Sequence, residues 1–163
     1  MSESQLRFDK KALRKLEERM MQVSDGIYDV GKVSLLESAD EILTFSGQIV
    51  PEDTGALKSS RFVDEPQTDH DEGRVTLELG YGGIADTLNP KTGEMTSSYA
   101  LKVHEDLVTP HKPGKSAKYL EIPLVLHTKR MFVTLQKGLE DYFGSIGGQQ
   151  AYKMRHALTK GDR

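Results

Sequence analysis

The sequence predicts an α+β fold in which a long N-terminal helix, either continuous or bent, and a C-terminal helix pack on one face of a small antiparallel β-sheet, with long loops. Apolar residues recur at three- and four-residue spacing from Asp9 to Phe45 and again from Lys118 to Phe143, which is the pattern of amphipathic helices. Short segments of alternating polarity, bounded by Gly and Pro, lie between them. This order is typical of helices that cover one side of an antiparallel sheet.

Length and composition suit one domain whose surfaces are completed by other chains. A chain of 163 residues can bury one ordinary core. We assign residues 1–148 to a single α+β domain and residues 149–163 to a basic C-terminal tail, which holds Lys153, Arg155, Lys160 and Arg163. The chain is only 36% hydrophobic and 29% charged, so we expect solvent-facing extensions or loops that neighbouring chains cover.

The composition disfavours several classes of protein. Because Cys is absent, no disulfide or thiolate metal site can form. Trp is also absent and the net charge is −3, which gives a nucleic-acid binder neither a stacking platform nor a cationic surface. The N-terminus lacks a signal-peptide core, and no apolar run approaches the ~20 residues of a membrane span. We expect a soluble protein that is made in the cytoplasm and has no contact with a membrane.

The first helical pattern carries an apolar stripe that needs a partner along its length. Its members are Leu13, Leu16, Met20, Val23, Ile27, Val30, Leu35, Leu36, Ala39, Ile42 and Leu43. Gly26 and Gly31 each cost about 1 kcal/mol relative to Ala inside a helix. The pattern therefore predicts either one long helix that is weak near Ser24–Gly31, or two helices with a bend there.

The stretch from Ile49 to Ser60 is the joint between helix and sheet. Pro51 ends the first helix, and Gly55 permits a turn. Asp53 or Thr54 can accept a hydrogen bond from a free N–H group at the start of a helix, so a helical turn is predicted over residues 56–59. The stretch is either a simple joint or a contact surface for another chain.

The strands are predicted from alternation. Arg61–Glu65 has strand character, Gln67–Gly73 is predicted to be a hairpin loop, and Arg74–Tyr81 is predicted to be one half-buried strand. Tyr99–Glu105 alternates in the same way and is predicted to be a further strand.

Two long irregular segments flank that last strand. They are Gly82–Ser98 and Asp106–Lys118, both rich in turn residues, and we expect them to reach adjacent subunits. In the second helix Pro123 suits the first turn, because its missing N–H costs nothing there. The helix should end at its glycines, which are Gly144, Gly147 and Gly148.

One cluster resembles a metal or acid–base site. It contains His104, Glu105, Asp106 and His111. On a strand the side chains of His104 and Glu105 point to opposite faces, and a zinc site needs a closely spaced pair with a third ligand. We therefore predict surface or interface roles for these residues, and no catalytic residue, cofactor or metal site.

Three short sequence motifs follow one another along the chain. They are V-P-E-D-T-G-A-L-K-S-S at 50–60, Y-A-L-K-V-H-E-D at 99–106 and G-K-S-A-K-Y-L-E-I-P-L at 114–124. Together they resemble the bacteriophage neck and tail-completion family, also called head–tail joining or minor capsid proteins. The matching positions in this chain are Pro51, Asp53, Thr54, Gly55, Leu57, Ser60, Tyr99, Ala100, Val103, His104, Glu105, Ala117, Lys118, Leu120 and Leu124. Tyr119 replaces the usual Phe, and the Gly-Thr that often follows the second pattern is missing.

The resemblance implies a structural virion protein of a tailed bacteriophage with no catalytic centre. Members form a homo-oligomeric ring in the neck, between the portal and adaptor proteins of the head and the tail terminator or tail tube proteins. DNA passes through the lumen without specific binding. Such a protein is made in the host bacterial cytoplasm and ends in the virion. The alternatives are a tail terminator or minor capsid protein, and more distantly a small cytosolic enzyme or nucleic-acid-binding regulator.

Overall fold

A computed structural model describes residues 9–159, with side chains described for residues 9–146. Two long helices dominate it: α1 spans Lys10–Ile49 and α4 spans Glu121–Thr159. The short helices α2, Ala56–Ser59, and α3, Thr96–Glu105, lie between them with two small antiparallel strand pairs. The predicted α+β fold class is confirmed. The side chains of the predicted basic tail lie outside the described residues.

The first helix is one continuous element of 40 residues, so the alternative of two helices is wrong. It begins at Asp9, whose carboxylate accepts a hydrogen bond from the Lys11 N–H at 3.0 Å. Gly26 provides the space for another side chain, since a Cβ atom there would lie 2.0 Å from the Tyr142 hydroxyl. The Tyr142 hydroxyl donates to the Gln22 and Val23 carbonyls at 3.3 Å. This glycine marks a close contact between helices rather than a break.

The two long helices pack against each other in antiparallel directions. Tyr142 meets Gly26 near one end, Gly138 meets Val30 in the middle, and His127 lies beside Glu41 further along. The second helix does not end at its glycines as predicted, because it continues to Thr159. Glycine lowers helix propensity by about 1 kcal/mol but, unlike proline, keeps the N–H that continues the hydrogen-bond ladder.

The four short strands form one antiparallel hairpin, which a bulge divides into two strand pairs. Strand β1, Arg61–Val63, pairs with β4, Leu79–Tyr81, while β2, Gln67–Asp69, pairs with β3, Arg74–Thr76. The prediction of one strand over Arg74–Tyr81 is therefore wrong, as is the assignment of the whole of Gln67–Gly73 to a loop.

A change of register separates the two halves of the hairpin. Three residues, Asp64–Pro66, face two residues, Leu77 and Glu78. The Asp64 N–H still donates to the Glu78 carbonyl at 2.8 Å, but Pro66 has no N–H with which to continue the ladder. An extra residue on one strand is a bulge, which increases the local twist.

The predicted strand over Tyr99–Glu105 is wrong, because these residues belong to α3. Alternation over seven residues fits a strand, but Tyr99, Ala100 and Val103 also share one face of a helix. Ala100 is buried and the other two are half-buried, whereas Leu101 is exposed. The predicted separation of His104 and Glu105 on opposite faces is wrong for the same reason.

The most enclosed part of the structure lies where the helices end. Val50, Leu57, Ala100 and Tyr119 form a buried cluster. The half-buried residues packed against it are Ile49, Tyr81, Tyr99, Val103 and Leu120. Among the residues that the structure describes, no helix is long and apolar enough to cross a membrane.

We predict that Gly26→Ala destabilises the protein. The added methyl group displaces Tyr142, and overpacking of this kind costs about 1–3 kcal/mol, which exceeds the gain of about 1 kcal/mol in helix propensity. Urea unfolding followed by circular dichroism measures the difference.

Gly144 gives the matched control, because no atom lies within 4 Å of a Cβ placed there. Gly144→Ala should stabilise the protein by about 0.5–1 kcal/mol. In a Tyr142→Ala background, Gly26→Ala should also become stabilising. Persistent destabilisation in that background would contradict the proposed contact.

Candidate functional site

The three sequence patterns of the family resemblance meet at one place. The first supplies Leu57, the second supplies Ala100, and the third contains Tyr119, all in the buried cluster. These residues are far apart in the sequence, so only the fold brings them together. The structure therefore unites the predicted site residues around the ends of α1, α3 and α4.

Tyr119 is at the centre of this cluster. Its hydroxyl donates a hydrogen bond to the Ala100 carbonyl at 2.8 Å. Its ring meets the rings of Tyr81 and His104 edge-on, with centroids 5.1 and 5.0 Å away, a favourable arrangement for aromatic groups. Burial raises the pKa of Tyr119, which keeps the hydroxyl protonated as a donor. The substitution of Tyr for the usual Phe thus adds a buried hydrogen bond.

The C-terminal end of α1 is closed by a distant segment. The last carbonyls of a helix have no partner within it and carry partial negative charge. The Ser116 N–H donates to the Ile49 carbonyl at 2.8 Å, and the Lys115 ammonium donates to the Gln48 carbonyl at 3.0 Å. The last turn of α1 has no basic residue of its own, so this cation comes from 67 positions later in the chain.

The same segment closes α3 and opens α4. Lys118, which has a φ angle of 56°, donates its N–H to the His104 carbonyl at 2.7 Å. Glu121 is the first residue of α4. Its backbone nitrogen lies 3.4 Å from the His104 Nε2 atom. A backbone donor at Nε2 requires a lone pair there, so the proton belongs on Nδ1, which is 2.8 Å from Glu105 Oε1.

Charged side chains surround this junction. The Lys118 ammonium contacts Glu105 at 2.5 Å and Glu121 at 2.9 Å. The hydrogen bond from Lys118 lowers the pKa of Glu105, and the same bond raises the pKa of Lys118. Both groups therefore remain charged at neutral pH, and they fix α3 to the start of α4. Lys118 is half-buried but both glutamates are exposed, so we expect these pairs to orient the helices more than they stabilise the fold.

Ser60 connects the first pattern to the sheet. It is fully buried, and its hydroxyl donates to the Leu57 carbonyl at 2.7 Å. The Gly82 N–H lies 2.9 Å from the Ser60 carbonyl and 3.1 Å from its hydroxyl oxygen. A buried hydroxyl with both donor and acceptor satisfied fixes the path of the chain between α2 and β4.

Asp86 is a structural residue that the sequence reasoning missed. Its Oδ1 atom accepts hydrogen bonds from the Ser97 N–H at 2.9 Å and the Thr96 hydroxyl at 2.6 Å, and Oδ2 accepts one from the Ser97 hydroxyl. These bonds lower the pKa of Asp86 to about 2. The carboxylate caps the start of α3 from ten residues away, and that spacing matches no local capping pattern.

Several residues of the resemblance line one open cleft of about 350 Å³ beside this junction. They are Pro51, Asp53, Thr54, Gly55, Leu57, Tyr99 and Val103. Gly55 has a φ angle of 82°, a conformation that favours glycine. The lining combines apolar side chains, such as Val103, with charged ones, such as Asp53, a mixture that occurs at surfaces which contact other protein chains.

Asp53, which lines the cleft, forms an ion pair with a lysine outside the lining. Lys91 contacts Asp53 at 2.5 Å, and its hydrogen bond lowers the pKa of that carboxyl. Thr54, rather than Asp53, faces the start of α2, with its hydroxyl 3.4 Å from the Ala56 N–H. Asp53 is therefore a surface residue of the cleft and not a helix cap.

The clustered histidines do not form a metal site. Within the described residues, no group of three or more His, Asp or Glu side chains is placed to hold a metal ion. His104 instead participates in the helix junction. His111 contacts the Asp106 carbonyl at 3.3 Å through Nε2, so these side chains hold the backbone.

We predict that the residues of the resemblance fall into two groups. Leu57→Ala removes a buried side chain and should lower the free energy of unfolding by about 2–5 kcal/mol. Asp53→Ala, at the exposed rim, should leave stability unchanged within error. Chemical denaturation of both variants measures this, and an equal loss in each would contradict the division.

We also predict a pH-dependent role for Asp86. Its folded pKa lies below the ordinary value of 3.8, so its stabilising effect is complete above about pH 4 and is lost as the pH falls through about 2. Asp86→Ala should therefore be less stable than the natural chain at pH 6, and the difference should shrink between pH 4 and pH 2. Parallel thermal unfolding curves test this. A difference independent of pH would show that the carboxylate charge is not involved.

Comparisons with known proteins add no assignment. Scans against protein-family models, curated proteins and solved structures each gave no match. The resemblance to phage neck proteins therefore depends on the motif residues alone.

Proposed function

We propose that this chain is a structural subunit of the neck of a tailed bacteriophage. It forms a homo-oligomeric ring that joins the DNA-filled head, through portal and adaptor proteins, to the tail terminator or tail tube proteins. The observation that carries the proposal is the convergence of the three patterns on the cluster of Leu57, Ala100 and Tyr119. Residues of the first two patterns also line the adjoining cleft, among them Thr54, Gly55 and Tyr99, which gives a neighbouring subunit a surface to contact.

Exposed apolar side chains support a function that depends on binding. Large aliphatic and aromatic residues face solvent along α4, on α3 and in the segment after it. They include Leu101, Leu107, Val108, Val125, Phe132 and Val133. Single exposed apolar residues are ordinary, but several within one region mark surfaces for other chains. A ring subunit needs two such surfaces, because closed rings form through head-to-tail contacts.

The charge of the chain suits a passage for DNA. A net charge of −3 gives little attraction for phosphate, whose binding depends on neutralisation by Lys and Arg. In this proposal DNA moves through the lumen without being held. The chain supplies no catalytic group or cofactor, and its final location is the virion after synthesis in the bacterial cytoplasm.

The proposed location gives a direct test. In purified particles of the phage that encodes this chain, antibody labelling should place it at the junction of head and tail. An amber mutant should accumulate filled heads and separate tails. Label at the end of free tails would indicate a tail terminator, and label over the capsid a minor capsid protein. Absence from the particles would contradict the proposal.

A DNA-binding assay provides the second arm of this test. A neck subunit should bind duplex DNA weakly and without sequence preference. Tight binding that falls steeply with salt, as expected for a protein that contacts many phosphates, would favour a regulator instead.

A further inference from the structure

A groove of about 640 Å³ runs between α1 and α4, with walls formed by these two helices alone. Gly26 and Gly138 also line it, and the space beside them is occupied by the side chains of Tyr142 and Val30 respectively. Val33 and Val133 stand on its two sides with 55% and 63% of their surfaces exposed. The groove is therefore an apolar surface that the hairpin does not cover.

The rim of this groove is acidic. Asp29, Glu37 and Asp141 lie on it, against one cation, Lys137. Within the described residues, Asp29 has a single weak partner, Lys32 at 3.4 Å. An occupant should therefore present aliphatic side chains together with positive charge.

The turn after α3 has these properties. Leu107 and Val108 are 74% and 90% exposed. The Asp106 carboxylate accepts hydrogen bonds from the Val108 N–H at 3.1 Å and the Thr109 N–H at 3.0 Å. These bonds fix the turn in one conformation, so little conformational entropy is lost when it docks.

The charge of this turn complements that of the groove. From Leu107 to Lys118 the chain carries His111 and three lysines but no acidic residue. Lys115 contacts the C-terminal end of α1, and Lys118 contacts residues at the end of α3 and the start of α4. Lys112 is exposed and donates to the Glu52 carbonyl at 3.1 Å. The Lys112 ammonium has three donor hydrogens, so its bond to one carbonyl leaves donors for a carboxylate of another chain.

The turn and the groove of one molecule lie too far apart to meet. The groove lies along residues 26–37 of α1, whereas the segment that contains the turn is fastened at Gln48. At 1.5 Å per residue, the middle of the groove is roughly 25 Å from that end of the helix. Contact between them requires a second copy, and two different surfaces give a head-to-tail contact that closes into a ring or continues as a filament.

We infer that the Leu107–Val108 turn of one subunit docks into the α1–α4 groove of the next. The occupant is thus a second copy of this chain, and the inference, which rests on the proposed function, gives the ring its subunit contact. Leu107 and Val108 contact the valines of the groove, and Lys112 lies near its carboxylates.

The absence of natural cysteines makes a cross-linking test clean. The double variant Val108→Cys/Val133→Cys should form a ladder of covalent dimers, trimers and higher species under mild oxidation. Each single variant should give no species larger than a dimer. All positions are exposed, so folding should be unaffected, and circular dichroism checks this.

Val125 provides a matched control, since it lies on the same helix, is 66% exposed and is outside the groove. Val108→Cys/Val125→Cys should give no ladder. Val108→Asp places a carboxylate against the acidic rim and should weaken self-association by about tenfold or more. Sedimentation measures this loss.

The outcomes separate the inference from the proposed function. A ladder from the Val125 pair but not from the Val133 pair would overturn the docking site, as would unchanged association of Val108→Asp. The neck assignment would still stand if the label remained at the head–tail junction. Absence from particles would remove the assignment, whereas the cross-linking result would still report the contact.

Discussion

Three helices end at the same point in this protein, and the backbone groups left unpaired there must find partners. The last carbonyls of α1 and α3 and the first N–H groups of α4 all face a region that is partly closed to water. The segment from Lys112 to Glu121 supplies partners for all three ends. Its irregular conformation follows from this task, because a regular element could not direct its donors toward two separate helices.

The elements predicted with success are those whose signals are local. The periodicity of α1 and α4 extends over many turns, and the turn at Ala56–Ser59 has its proline and glycine beside it. The elements missed depend on residues far apart in the sequence. Helix α3 is short, and its cap is Asp86, ten residues earlier. Seven residues of alternation cannot separate a strand from a helix when the deciding hydrogen bond comes from outside the window.

The candidate site likewise depends on contacts between residues that are far apart in the sequence. The sequence patterns contain residues that hold the structure together, but they gave no indication that these residues form a junction. His104 is predicted from the sequence to have a surface or interface role, and in the structure its carbonyl and ring join α3 to the start of α4. Likewise, Gly26 was expected to weaken a helix, and its actual role is to admit Tyr142. Both roles require knowledge of a contact partner that no local pattern contains.

The structural roles of the matched residues determine what the resemblance to phage neck proteins can indicate. Most of the matched residues hold the junction together, as Leu57, Ser60 and Ala100 do, so the patterns are principally a signature of a fold. Folds host many functions, so the activity must be argued from surfaces that the patterns do not contain. The Leu107–Val108 turn and the α1–α4 groove lie outside the matched positions, and they carry the apolar exposure and opposite charge that an assembly contact needs. The proposed function therefore depends less on the residues that suggested it than on the exposed residues of the turn and the groove.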